Sequence, residues 1–124
     1  MDWERVASAL GARLVEGPAG VTRYEWDDTG AVEVAREGDA LVYYYMVWPA
    51  RRTGRYRAWS VAALRPALDS GITRYEIPMR SHVSREMLVV LERTGLAETR
   101  GDVLHGSILP GSHYYAWVKS SQGS

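Results

Sequence analysis

The 124-residue sequence predicts a single α+β domain. Two observations carry that prediction. Residues 21–26 and 31–37 alternate apolar and polar positions and lead through short glycine turns into an apolar run at 41–48, which is the pattern of an antiparallel meander. Between Leu41 and Leu96 the order changes to strand, basic glycine turn, helix, strand, helix, glycine, strand. Period-2 alternation gives a strand one buried face, and recurrence at i, i+3 and i+4 does the same for a helix. A chain of this length buries roughly two-thirds of its unfolded surface, enough for one core without covalent staples.

Taken in order, Asp2 is a suitable N-cap for a helix over residues 2–10, with Trp3, Val6, Ala7 and Leu10 on one face and Gly11 as its stop. Gly17-Pro-Ala-Gly20 reads as a loop. Val21–Trp26 and Ala31–Glu37 read as strands joined at Asp27-Asp-Thr-Gly30, and Gly38-Asp39 turns the chain into a third strand, Leu41–Trp48. Aromatic and β-branched residues fill that third strand, and Pro49 ends it because proline lacks the N–H of the next rung. A helix follows the arginine-rich turn at residues 51–57, carried by Trp59, Ala62, Ala63, Leu64, Ala67 and Leu68, with Pro66 expected to bend or restart it. Gly71 closes this helix. Ile72–Met79 is the next strand and Ser84–Thr94 the next helix, ended by Gly95. Two further strands are expected, Ala97–Ile108 and His113–Val118, before a frayed polar tail at residues 120–124.

Val47-x-Pro49, the Arg51-x-x-Gly54 turn, Gly71-Ile72, and the run Ser84-Arg-Glu-Met-Leu-Val-Val-Leu-Glu-Arg-Thr-Gly95-Leu96 together resemble the acetyl-CoA-binding half of the GNAT (Gcn5-related N-acetyltransferase) superfamily, over about half of the chain. The resemblance implies a mixed, mainly antiparallel sheet of six or seven strands with flanking helices. The Leu41 and Ile72 strands should be parallel neighbours that splay apart beside the intervening helix. It implies acetyl-CoA as cofactor, its pyrophosphate held on backbone N–H groups at the start of that helix, where orphan donors and partial positive charge suit phosphate. The positions that correspond are Arg51, Arg52, Thr53, Gly54, Arg55 and Tyr56. The family places glycine or alanine where this chain has Tyr56, so a ring is expected where the backbone must approach the phosphate.

The family's closing helix often begins with asparagine and carries a proton-donating tyrosine one turn before the glycine. The matching positions here are Ser84, a competent N-cap, and Leu91, which has no proton to give and forms an apolar stripe with Met87 and Leu88. Glu76, mid-strand in Arg74-Tyr-Glu-Ile-Pro78, is a candidate general base, and an arginine pair on the sheet face is its structural alternative. Tyr114 or Tyr115 could supply an acid, but nothing in the sequence selects one. One helix stands where the family has two before its meander, and in the family those helices shape the acceptor side.

Composition narrows the function further. The absence of cysteine excludes disulfides and thiolate metal sites, and His82, His105 and His113 are too scattered to suggest a metal centre. Formal net charge is zero, with nine acids against four arginines in residues 1–40 and eleven basic residues against six acids thereafter. Neither that balance nor any motif supports nucleic-acid binding. No apolar run approaches the ~20 residues of a membrane span and no leader pattern precedes the first helix, so a cytoplasmic or virion-associated protein is expected rather than a secreted one. Two functions follow. The first is a GNAT-like domain that has lost catalysis and acts as a binding or structural protein with a protein partner. A short front half, a Thr-Gly-Leu helix end and the missing tyrosine are similar to small GNAT-like virion-associated proteins of tailed phages. The alternative is an acetyl-CoA-dependent N-acyltransferase of unknown acceptor.

Overall fold

Asp2 caps the first helix as its sequence requires, its carboxylate accepting the Arg5 N–H at 3.1 Å, and α1 spans Trp3–Leu10. The computed structural model describes residues 1–49, 54–83 and 85–122. After α1 come β1 (Arg13–Glu16), β2 (Thr22–Glu25), β3 (Ala31–Glu37), β4 (Ala40–Val47), α2 (Arg55–Asp69) and β5 (Arg74–Pro78). The chain continues through β6 (His82–Val83), α3 (Arg85–Arg93), β7 (Glu98–Arg100), β8 (Val103–Ser107) and α4 (His113–Gln122). The sheet runs β1-β2-β3-β4-β5-β8-β7, with β6 attached to β4 off that path. Its pairs are antiparallel except β4 with β5 and β4 with β6. The expected mixed, mainly antiparallel sheet is therefore present, with the Leu41 and Ile72 segments as parallel neighbours joined through α2.

Several elements differ from the sequence expectation. The described residues form eight strands rather than six or seven. β1 has no counterpart in the sequence expectation, because four residues with an adjacent Leu14-Val15 pair carry no period. Ala97–Ile108 is a hairpin, folded at Gly101 with φ 63°, not one strand. His113–Val118 is helical. Its aromatic and β-branched content suggests a strand, but Tyr114 and Val118, four apart, are both buried, and the Ser112 hydroxyl caps the Tyr115 N–H at 3.1 Å. The helix then runs to Gln122, taking in part of the tail expected to fray. α2 passes through Pro66 to Asp69 without restarting, since a proline in the last turn removes only one intrahelical bond.

α1 packs on α2 and α2 on α4, so three helices lie side by side over one sheet face. Beneath them is a core of unusual chemistry. The chain has eight tyrosines, five tryptophans and no phenylalanine, so every aromatic ring buried there brings a polar atom with it. Trp59 of α2 is fully buried, sets its ring edge-on to Tyr24 and Tyr43 at 5.0 and 6.1 Å, and donates Nε1–H to the Tyr43 hydroxyl at 2.7 Å. The Tyr24 hydroxyl donates to the Trp3 carbonyl and the Tyr75 hydroxyl to the Leu96 carbonyl, each at 2.9 Å. The Leu96 carbonyl is in reach because α3 ends at Gly95 with φ 76°, which folds the Leu96 N–H back onto Leu91 O at 3.0 Å. Leu91 itself lies in the core, with Met87 and Leu88 packed against it.

One glycine is fixed by this packing. Gly106 of β8 faces Tyr75 of β5, and a Cβ at 106 would fall within the tyrosine ring. That ring is buried, hydrogen-bonded, and wedged between Tyr43 and Tyr114, so it has nowhere to go. Gly106→Ala is expected to destabilise the fold by about 1–3 kcal/mol, read as a lowered denaturation midpoint. Gly101→Ala would not serve as a control, because its positive φ is itself strained by a Cβ.

Candidate functional site

The site that the sequence directs attention to is the boundary between β4 and β5. The two strands pair over three rungs, Ala40 with Arg74, Leu41 with Tyr75 and Val42 with Glu76. Beyond Val42 they part. A bulge drives the separation: β3 pairs Val34 with Tyr43 and Glu33 with Tyr45, which leaves Tyr44 as an extra residue and bends β4. β5 then ends at Pro78.

The chain itself returns to the resulting gap. Ser81 donates its hydroxyl hydrogen to the Tyr43 carbonyl at 2.8 Å. β6 follows as a parallel strand on β4, with His82 opposite Tyr45 and Val83 opposite Met46. The His82 ring stacks on Tyr45 at 5.1 Å and 18°, and the Arg23 guanidinium lies 5.4 Å from the same tyrosine ring. Arg23, Glu33, Tyr45 and His82 thus form one row across four strands on the sheet face away from Trp59.

At the start of α2, Arg51, Arg52 and Thr53 lie outside the described residues. Gly54 is the N-cap and offers no side-chain cap. Arg55 turns back to the β2–β3 turn, where it grips Asp28 through two bonds of 2.9 and 2.7 Å and stacks over Trp26 at 4.7 Å. Its side chain is 13% exposed, so this guanidinium is held by a carboxylate and not presented outward. Asp28 also accepts the Gly30 N–H at 3.0 Å, which fixes the turn that carries it. Tyr56 points into the molecule: its ring stacks on Trp117 of α4 at 5.7 Å and 25°, and burial raises its hydroxyl pKa well above the ordinary value. Residues 81–83, for their part, occupy the β4 edge beyond Val42.

The remaining candidates do not converge on the gap. Glu76 is ion-paired with Arg74 and has His105 Nδ1 at 3.6 Å, on the side of β5 away from buried Tyr75. Leu91 is 1% exposed and carries no dissociable proton. Tyr114 is buried against Tyr75, and burial raises its pKa, while Tyr115 sits half-buried beneath Lys119. Tyr43 lines the gap only through its carbonyl, because its hydroxyl is in the core with Trp59. His82, His105 and His113 occupy separate places, and the described residues contain no cluster of three metal-ligating side chains. Among the described residues no helix is long and apolar enough to cross a membrane. A surface groove of about 940 Å³ lies at the other end of β5, lined by Arg74, Glu92, Leu96, Glu98, Arg100 and His105. The sequence reading missed residues 81–83 because a two-residue strand has no period, and it missed Asp28 because that residue looked like ordinary turn chemistry.

No protein-family model and no curated protein matches the sequence. Solved structures do match its fold. A Bacillus subtilis acetyltransferase in complex with CoA superposes with a TM-score of 0.51 at 11% identity, covering 79% of this chain and 98% of that one. An acetyltransferase of the GNAT family from Staphylococcus aureus Mu50 gives 0.52 at 9% identity, covering 87% of this chain and 77% of that one. The architecture is that of the GNAT acetyltransferases, divergent in sequence.

Proposed function

We propose that this GNAT-fold chain has lost acyl transfer and works as a binding or structural protein. The observation that carries the reading is the self-occupied gap: Ser81 and β6 take the β4 edge beyond Val42, where the family resemblance puts the arm of acetyl-CoA. Three features support it. Leu91 supplies no proton, Arg55 is spent on Asp28, and Glu76 is spent on Arg74. In this reading the partner is another protein, and the virion-associated proteins of tailed phages are the kind of assembly it would serve. The competing reading, an acetyl-CoA-dependent N-acyltransferase, draws on the CoA complex of the Bacillus subtilis structure with the same fold.

Acetyl-CoA titration separates the two. A ligand at 100 times its dissociation constant adds about 2.7 kcal/mol to stability, an easily read rise in melting temperature. The expected result is no shift at millimolar acetyl-CoA and no saturable heat by calorimetry. Saturable micromolar binding that weakens with salt would overturn the proposal in favour of the transferase.

A further inference from the structure

We propose that residues 81–83 are a displaceable strap, and that the β4 edge beneath it is a docking groove for one extended strand of a protein partner. The inference rests on the non-catalytic reading above and names how the partner binds. β4 is held by β3 over seven register pairs but by β6 over only two, with one side-chain bond at Tyr43 added. Segments with so few bonds open locally at a small fraction of the global unfolding free energy. Opening would leave β4 backbone N–H and C=O groups beyond Val42 without partners, and an extended peptide is the chemistry that satisfies them.

The present occupant also states what the groove reads. Ser81 offers a hydroxyl to the Tyr43 carbonyl, His82 lays a flat ring on Tyr45, and Val83 sits opposite Met46. A partner strand running parallel to β4 with a hydroxyl residue, a ring and a β-branched residue in succession would reproduce all three contacts. The groove is not polar by accident: Arg23 stands on the far side of Tyr45, held by Glu25 and Glu33, so the ring keeps its orientation when the strap leaves.

Two measurements test this. In hydrogen exchange of the wild-type chain, amides of residues 80–83 should exchange about a hundredfold faster than those of residues 40–42. Exchange of both segments at the same rate, through global unfolding, would overturn the proposal. The second measurement uses a labelled synthetic peptide, Met-Arg-Ser-His-Val-Ser, against the double variant Ser81→Gly/His82→Gly. The variant should bind it saturably, at least tenfold tighter than the wild type, and a scrambled peptide should bind neither. No binding by a folded variant, or equal binding of the scrambled peptide, would overturn it. Acetyl-CoA is absent from both measurements. A strap that fails here therefore leaves the non-catalytic reading intact, whereas acetyl-CoA binding would remove the premise of both, so the two failures are told apart by which measurement fails.

Discussion

Raising the pH above 10 is expected to unfold this protein in one cooperative step. Tyr24, Tyr43, Tyr75 and Tyr114 are each no more than 5% exposed, and burial is the first cause that raises every one of their pKa values. The folded state therefore keeps at least these four protons, which the unfolded state releases near pH 10. Their stabilising contribution is complete below that value and is lost progressively as pH rises from it towards the raised folded values, because unfolding is then driven by proton release. Each tyrosine weakens the fold by about 1.4 kcal/mol per pH unit, so four together remove about 5 kcal/mol per unit. A typical stability of roughly 5–15 kcal/mol would be exhausted within about 1–3 units. Tyrosinate absorbance and circular dichroism should change together. Ionisation of all eight tyrosines with the dichroism unaltered would contradict the buried placement of these rings.

The second large effect concerns Leu91. Its side chain is 1% exposed inside the core, and Leu91→Ala should cost about 2–5 kcal/mol as a cavity mutation. Val90, one residue earlier on α3, is 54% exposed, and Val90→Ala should stay within about 0.5 kcal/mol. Urea denaturation of the pair checks the phase of the helix. Equal effects at the two positions would mean that α3 presents a different face to the sheet. The outcome bears on function as well, because a leucine essential to packing explains why this position holds no proton donor.

How much of the site could be read in advance divides along the same lines. α1, the β2–β3–β4 meander, α2 and α3 were legible because each has its own period and its own punctuation, from Asp2 to Gly95. α4 was not, because Tyr-Tyr-Ala-Trp-Val satisfies a strand by composition and a helix by spacing. Only the burial of Tyr114 and Val118 together, under α2, decides between them. The arginine turn shows the same limit at the site. Composition marks Arg55 as an anion binder, but Asp28, 27 positions earlier, claims it across the β2–β3 turn.

By itself, then, the sequence determined the α+β class, the parallel step from β4 to β5 through α2, and the lack of a proton donor at Leu91. The class follows from periodicity, which is local, while the parallel step and the role of position 91 are what the family resemblance implied. The tertiary structure alone decided that Tyr56 turns inward and that Glu76 is neutralised by Arg74 and flanked by His105. It alone closed the gap between β4 and β5 with residues 81–83. The physical reason is that each of these depends on a partner far away in the chain. A carbonyl at Tyr43 must be satisfied by something, and no local rule states that Ser81, 38 residues later, is what satisfies it.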